Sequence, residues 1–169
     1  MTELTDEKGL LLPPQETPTP ETLRALGDYL FLAERSDRHR SMNVGSFAET
    51  VMPPLSANQF RIFRFDGVPR AVFTWAWLSS DAEKRYVSGQ LLRAGDWRSG
   101  ERLWIIDMIA PYRGLTSSIA RWIMIPGNVT KSDFRFRRIR DGKATRRIVH
   151  VDFNRPGQLA AIETDADYL

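Results

Sequence analysis

Two β-rich runs, NQFRIFRF and PRAVFTWAWL, flank an Asp66-Gly67 pair. An Asp-Gly pair favours the positive φ angles of a tight hairpin turn, so the two runs are predicted to pair as antiparallel strands. The same arrangement recurs at Asp141-Gly142, between FRFRRIR and ATRRIVHVDF. Two hairpins in one chain restrict the fold to classes that contain a sheet with antiparallel pairs.

Helical spacing marks the segments around these hairpins. Thr19 is a suitable N-cap for a helix from Pro20 to Ser36, because leucines recur there at intervals of three and four. A short helix over 45–51 is predicted to stop before Pro53-Pro54.

The second half of the chain alternates helices with strands. Ser80 with Glu83 forms a capping box that predicts a helix to about Leu92, and RLWIIDMIAP predicts a strand. A helix over 115–125 ends at Pro126-Gly127. This order predicts an α+β fold with a mixed or antiparallel sheet flanked by helices. Residues 1–18, rich in proline, are predicted to be a flexible lead-in, and 19–169 a single domain.

The composition excludes several classes of chemistry. The chain has 169 residues, 42% of them hydrophobic, and no cysteine, so disulfides, thiolate nucleophiles and cysteine-ligated zinc are excluded. Its two histidines are far apart in sequence, and no metal site is predicted. No apolar run is long enough to span a bilayer, and the acidic N-terminus lacks the pattern of an export signal, so a cytoplasmic protein is expected.

An aspartate interrupts the apolar strand RLWIIDMIA. A period of two places Asp107 on one face with Leu103, Ile105 and Ile109. An unpaired buried carboxylate is costly, so Asp107 requires a partner. His39 and His150 are the candidate histidines, while an arginine partner for Asp107, or a solvated His39, are the simpler alternatives.

Four segments resemble a known family. LAERSDRHR, PPLSANQF, TWAWLS and DWRSGERLWIIDMIAP, in this order, are similar to the toxin-activating lysine acyltransferases that modify RTX protoxins. The resemblance implies a GNAT-like fold and a cytoplasmic homodimer that moves a fatty acyl chain from acyl carrier protein to internal lysines of the toxin. His39 and Asp107 match the family's essential residues, and Ser36 matches a supporting serine. No tightly bound cofactor is implied, and Met108 departs from the aromatic residue of the family pattern.

The implied reaction needs a base. A lysine with a pKa of about 10.4 is only about 0.04% neutral at pH 7, so its proton must be removed before it attacks a thioester. His39 is the candidate base and Asp107 would fix its tautomer, leaving Nε2 free to accept the proton. Direct attack by His39 to give an acyl-imidazole is an open alternative. Ser36 would lie about 5 to 6 Å from His39 at Cβ if the helix continued to it.

Positive charge is concentrated in residues 131–147, which carry eight Lys or Arg and two Asp. This segment is predicted to bind an acidic carrier protein and its phosphopantetheine phosphate. A solvated strand face is the simpler alternative. Nucleic-acid binding, with Phe134 and Phe136 as stacking platforms, and an ordinary acyl-CoA-dependent GNAT enzyme are the rival functions. The candidate docking residues are Arg135, Arg137, Arg138, Arg140 and Lys143.

Three further residues, Asn58, Gln59 and Trp75, are predicted to lie near the site. The hairpin that carries Trp75 and Trp77 would wall an acyl channel, although aromatic residues at strand spacing also suit a plain core. Asn58 and Gln59, which precede the hairpin, are predicted to lie beside the same channel.

Overall fold

The computed structural model of the chain describes residues 5–11, 18–140, 144–157 and 159–169. Most of the predicted lead-in and the Asp141-Gly142 turn lie outside these residues. The described helices and strands are α1 (Pro20–Ala33), α2 (Asp37–Arg40), α3 (Val44–Ser56), β1 (Phe60–Phe65), β2 (Val68–Leu78), α4 (Ser80–Val87), β3 (Arg102–Ile109), α5 (Leu115–Ile123), β4 (Asp133–Arg140), β5 (Ala144–Asp152) and β6 (Ala160–Glu163). Within these ranges, every helix falls short of the length or the hydropathy that crossing a bilayer requires.

The strands form one six-stranded sheet in the order β1-β2-β3-β4-β5-β6. Both predicted hairpins, β1-β2 and β4-β5, are confirmed, and β6 is an edge strand that the sequence did not predict. Strands β3 and β4 are parallel and pair only at Trp104 with Arg135 and Ile105 with Phe136. Because a parallel ladder of two pairs leaves the rest of each strand unpaired, the sheet opens beyond Ile105 and Phe136.

Helices cover both faces of this sheet. On one face, Tyr29 and Leu32 of α1 and Val51 of α3 pack on Val72 and Ile109. On the other face, α5 packs on Phe73 and Leu103 through two isoleucines, Ile119 and Ile123. Each such side chain contributes about 1.5 to 3 kcal/mol when it is fully buried. The predicted α+β architecture with a mixed sheet is confirmed.

Several helix boundaries differ from the prediction. α1 ends at Ala33, and a separate four-residue helix, α2, follows Ser36. α3 continues through Pro53 and Pro54 to Ser56. Both prolines lie near the C-terminal end of the helix, so the loss of their two backbone N–H donors affects only its last hydrogen bonds. α4 is capped by Ser79, not Ser80, and ends at Val87. Its Glu83, predicted to cap the helix, instead accepts a hydrogen bond from Trp104 in the core.

The predicted single face of β3 is wrong. Leu103 and Ile105 pack on the α5 face of the sheet, whereas Ile109 packs against α1 and α3 on the opposite face. A β-bulge causes the switch, since Thr74 pairs with Asp107 and Trp75 pairs with Ile105, leaving Ile106 as an extra residue. The bulge therefore directs the Asp107 side chain toward helices α1 and α2 rather than toward α5.

Candidate active site

Asp107 and His39 form a buried hydrogen-bonded pair. His39 Nε2 lies 2.7 Å from Asp107 Oδ2, and both side chains are almost completely buried. The hydroxyl of Tyr29 donates to the same carboxylate oxygen at 2.8 Å. Arg38 lies 3.4 Å from the other oxygen, Asp107 Oδ1. The carboxylate therefore has the partners that its burial requires, and the predicted pairing of His39 with Asp107 is present in the structure.

The geometry fixes the tautomer of His39. An ionised carboxylate only accepts hydrogen bonds, so Nε2 carries the proton and donates it to Asp107. His39 Nδ1 lies 2.7 Å from Ser36 Oγ and accepts the serine hydroxyl proton. Ser36, His39 and Asp107 thus form a continuous chain of hydrogen bonds. The expectation that Nε2 would be the free base nitrogen is wrong, because α2 turns this nitrogen toward Asp107.

The short helix α2 produces this arrangement. Ser36 has an extended backbone, with φ of −115° and ψ of 118°, and it precedes the single turn of residues 37–40. The break between α1 and α2 brings Ser36 Oγ back onto His39, three residues later. A continuous helix to Ser36, as predicted, would not have this extended residue. The site therefore depends on the interruption of the helix and on the bulge in β3.

Charge and burial act in opposite directions on Asp107. Burial raises the pKa of Asp107, but the hydrogen bond and charge of His39, the charge of Arg38 and the hydrogen bond of Tyr29 together hold it below its ordinary value. Asp107 is therefore ionised at neutral pH. Burial and the nearby Asp107 carboxylate raise the pKa of Tyr29, which stays a neutral donor. The sequence analysis missed Tyr29, whose only signal was its place on the apolar face of α1, and it did not single out Arg38.

These shifts predict how stability depends on pH. Because the pKa of Asp107 is lower in the folded protein than the ordinary value of about 3.9, ionisation stabilises the fold above that pH. This contribution is lost as the pH falls through the lowered pKa. We expect the difference in free energy of unfolding between wild type and Asp107→Asn to shrink as the pH falls below about 4. Urea unfolding at several pH values measures it, and a difference that persists unchanged to pH 2 would contradict the assignment.

Two cavities meet at Asp107, where β3 and β4 separate. The α3-side cavity, of about 440 Å³, lies between α3 and the loop of residues 90–97. The α5-side cavity, of about 480 Å³, lies between α5 and strand β4. Both cavities are bordered by the same four residues, Arg38, Ile106, Asp107 and Arg137. The two cavities therefore adjoin Asp107, one end of the hydrogen-bonded chain.

The two cavities differ in character. The α5-side cavity is walled mainly by apolar side chains, among them Met108, Ile123, Phe134 and Phe136. The α3-side cavity mixes apolar residues with charged ones, including Glu49 and Arg93. A molecule that joins a polar segment to an apolar chain would match this pair of cavities.

The other predicted site residues lie further from the pair. Gln59 is buried and donates through Nε2 to the backbone carbonyl of Trp97 at 3.0 Å. Asn58 is exposed, with φ of 52°, at the turn before β1. Trp75 packs beside Phe73, with ring centroids 5.6 Å apart, and lines neither of the two cavities. Their predicted role beside an acyl channel stays a prediction.

The basic hairpin is less open than the sequence implied. Arg135 is paired with Asp133 at 2.8 Å, and Arg137 donates to the carbonyl of Tyr86 at 2.6 Å while lying over its ring. Arg138 is exposed. The side chain of Arg140 and the whole of Lys143 lie outside the described residues.

The second histidine does not contact Asp107. His150 Nε2 lies 2.8 Å from Asp133 and its Nδ1 lies 3.1 Å from Glu163, on strands β4 and β6. Of the two histidines, only His39 therefore pairs with the aspartate of β3.

Comparison with known proteins identifies the family. Residues 19–152 match the RTX toxin acyltransferase family, HlyC, so the chain belongs to that family. It is 38% identical over 88 residues to the RTX-II toxin-activating lysine-acyltransferase ApxIIC of Actinobacillus pleuropneumoniae, covering 52% of this chain and 55% of the relative. It is 41% identical over 91 residues to the protein-lysine myristoyltransferase HlyC of Escherichia coli, covering 53% and 54%.

A longer match exists within the same group. The chain is 32% identical over 129 residues to the RTX-III toxin-activating lysine-acyltransferase of Actinobacillus pleuropneumoniae, covering 75% of this chain and 72% of the relative. The first two alignments span about half the length of the curated relatives. The predicted family is confirmed, and the mixed sheet flanked by helices agrees with the GNAT-like fold that the resemblance implies.

Proposed function

We propose that this protein transfers a fatty acyl chain from acyl carrier protein to internal lysines of an RTX protoxin. One observation carries the proposal: a cavity with mixed apolar and charged walls and a mainly apolar cavity both border Asp107, the buried partner of His39. An acyl carrier thioester has the same two parts, since a polar phosphopantetheine arm is joined through sulfur to an apolar chain. With the arm in the α3-side cavity and the chain in the α5-side cavity, the thioester lies beside Asp107.

The hydrogen-bonded chain supplies the proton transfers. His39 Nδ1 accepts a proton from the lysine ammonium, either directly or through the hydroxyl of Ser36. The neutral amine attacks the thioester carbonyl, a C–N bond forms, and the C–S bond breaks. The imidazolium then returns its proton to the leaving pantetheine thiolate, and the second proton of the former ammonium leaves the new amide nitrogen to solvent. Asp107 holds His39 in the required tautomer and stabilises its charged form.

The position of Ser36 favours a supporting role. Its hydroxyl bonds to His39 Nδ1 at 2.7 Å, where it can pass a proton or hold the ring. It lies on the short link between α1 and α2 and not on a sharp strand-to-helix turn that would present it as a nucleophile. A supporting role predicts a moderate loss of activity in Ser36→Ala. A covalent acyl-serine intermediate instead predicts a loss as large as that of removing His39.

The direct test is coexpression with an RTX protoxin followed by mass measurement of its lysine-containing peptides. The proposal expects one or more lysines to gain the mass of a fatty acyl group in the presence of the wild-type protein. The control is the protoxin expressed alone. Unmodified lysines in both samples would contradict the proposed function.

The rival functions make different predictions. Phe134 is buried and Phe136 packs beside it in the core, with ring centroids 6.4 Å apart, so they do not form an exposed platform for bases. This contact argues against single-stranded nucleic-acid binding through the hairpin. An acyl-CoA-dependent enzyme remains the second candidate, and it would use acyl-CoA at least as well as acyl carrier protein in the same assay.

Two arginines of the basic hairpin suit an acidic carrier. Arg138 on β4 and Arg147 on β5 are direct cross-strand partners, and both are exposed. Like charges placed opposite each other destabilise a sheet. Among the described residues, no carboxylate forms an ion pair with either side chain. A partner that brings negative charge would relieve this repulsion, so we propose Arg138 and Arg147 as part of the carrier docking surface, together with the predicted Arg140 and Lys143.

The docking proposal predicts a salt-dependent effect on the carrier. Arg138→Gln combined with Arg147→Gln is expected to raise the KM for acyl carrier protein several-fold with a smaller change in kcat, because exposed charges act mainly on encounter. The effect should be greater at low salt, since the Debye length is about 8 Å at 0.15 M. Steady-state acylation against carrier concentration at two ionic strengths measures it.

A charge-matched control separates docking from net charge. Arg24→Gln with Arg113→Gln removes two exposed positive charges outside the hairpin strands. This control should leave the KM for the carrier unchanged. An equal rise in the KM for the carrier in both double variants would mean that Arg138 and Arg147 do not bind the carrier and are simply solvated residues on a strand face.

The family resemblance supports a proposal for the remaining partners and the compartment. We propose a cytoplasmic homodimer that meets the protoxin and the acyl carrier in the same compartment. Exposed apolar residues on α1 and α3 support association of two copies, since Leu23, Leu30 and Val44 are 53%, 50% and 85% exposed.

A further inference from the structure

Trp97 carries a buried hydrogen-bond donor without an acceptor. Its side chain is 4% exposed, and within the described residues no acceptor lies in bonding distance of its Nε1. The indole of Trp104 is equally buried, but its Nε1 donates to Glu83 at 2.9 Å. Buried donors are almost always bonded, so the isolated N–H of Trp97 indicates a partner that this chain does not itself provide.

The backbone around Trp97 is firmly held. Gln59 donates to its carbonyl oxygen at 3.0 Å, and the Asp96 carboxylate accepts from the backbone N–H of Arg93 at 2.9 Å. The same carboxylate is paired with Arg85 of α4. The loop is therefore fixed to the hairpin and to α4. The unbonded N–H is not a consequence of a loose loop.

Trp97 lines the α3-side cavity, which also borders Asp107. An indole N–H only donates, so its partner must present an acceptor atom. The ammonium of the acceptor lysine cannot be this partner, because it has no acceptor atom. The cavity wall also carries three arginines, Arg38, Arg93 and Arg137, against two carboxylates, Glu49 and Asp107. A neutral carbonyl oxygen suits a buried N–H, since it costs less to desolvate than a charged group.

We propose that Trp97 Nε1–H donates a hydrogen bond to an amide carbonyl of the pantetheine arm and so positions the thioester beside Asp107. This inference rests on the proposed function, in which the acyl donor is a pantetheine thioester. Arg93, exposed at the edge of the same cavity, lies where the arm's phosphodiester can meet a positive charge. Trp97 is thus a residue that positions the donor and takes no part in the proton transfers.

The test compares Trp97→Phe with wild type on two donors that carry the same acyl chain. With acyl carrier protein, the variant is expected to lower kcat/KM about threefold to tenfold, the range that one neutral hydrogen bond supplies. With the acyl thioester of mercaptoethanol, which has no amide, variant and wild type should be equal. An equal loss on both donors, or no loss on either, would overturn the assignment. A raised KM for the protoxin alone would assign the cavity to the acceptor.

Trp104→Phe is the matched control for the ring truncation. Both substitutions replace a buried indole with a smaller phenyl ring. Only Trp104→Phe removes an existing hydrogen bond, which leaves Glu83 without that donor. Thermal unfolding should therefore show a greater fall in Tm for Trp104→Phe than for Trp97→Phe. The reverse order would mean that the Trp97 N–H is bonded within the fold. Wild type that acylates no lysine with either donor would instead reject the proposed function, so the two failures are distinguishable.

Discussion

Replacing His39 with alanine is expected to abolish lysine acylation. General-base catalysis by a positioned side chain contributes about 10²- to 10⁴-fold, and the Ser36–His39–Asp107 chain offers no second nitrogen to take the proton. Removing the ring also leaves Asp107 bonded only to Tyr29 and paired with Arg38. Steady-state acylation of a purified protoxin measures the loss. Circular dichroism and the unfolding midpoint establish that the variant still folds.

His150→Gln is the matched control for this experiment. It removes the other histidine of the chain, which bonds to Asp133 and Glu163 away from Asp107. This variant should keep wild-type activity at neutral pH. If His39→Ala acylated lysines at the wild-type rate, His39 would have no part in the mechanism.

Replacing Asp107 with asparagine is expected to lower kcat by about 10⁴-fold, the effect that the equivalent change has where an aspartate orients a catalytic histidine. Asparagine has nearly the same shape, but it is neutral and can donate to the ring, so it permits the unproductive tautomer and no longer stabilises the imidazolium. The measurement is kcat with saturating acyl carrier protein. The KM for the carrier should change less than kcat, because the loss appears when the ring becomes charged.

Tyr29→Phe separates the charge of Asp107 from its hydrogen-bonding partners. This substitution removes the hydroxyl that donates to Asp107 Oδ2 at 2.8 Å but retains the carboxylate and the packing of the ring. Its loss of activity should be much smaller than that of Asp107→Asn. Equal losses would show that the geometry of the carboxylate, and not its charge, controls the rate.

Local patterns were sufficient to predict five of the six strands of the sheet. Asp66-Gly67 specifies its turn through backbone preferences of neighbouring residues, and β1 and β2 follow from it. The apolar run around Asp107 is also a local pattern, and it predicted the strand β3. The helix ends were less accurate because proline does not always stop a helix, as Pro53 and Pro54 in the last turns of α3 demonstrate.

The geometry of the site required the tertiary structure. The bulge at Ile106 reverses the face on which Asp107 lies, and strand periodicity carries no signal for it. The break after Ala33 selects which nitrogen of His39 meets Asp107. Tyr29 could not be distinguished from an ordinary core residue, because its role depends on a carboxylate 78 positions away in sequence.

The sequence also predicts more exposed positive charge than the folded surface carries. Arg135 and Arg137 lie in a strongly basic segment, yet the fold pairs the first with Asp133 and places the second against Tyr86. Arg138 keeps its exposure because it lies on the opposite side of the strand from these two contacts. The number of arginines in a segment therefore does not give the number available to a partner.

The stoichiometry of a single reaction shows whether the protein moves an acyl group from the carrier to lysine and whether His39 is needed for the transfer. Purified protein, acyl carrier protein loaded with one acyl chain and an RTX protoxin are mixed, and mass spectrometry follows both proteins while a thiol reagent counts released pantetheine. We expect each free thiol to be matched by one acyl group on a lysine, and both products to disappear with His39→Ala. Thiol release without lysine acylation would identify a thioesterase, and acylation that persists in His39→Ala would contradict the role of the His39–Asp107 pair.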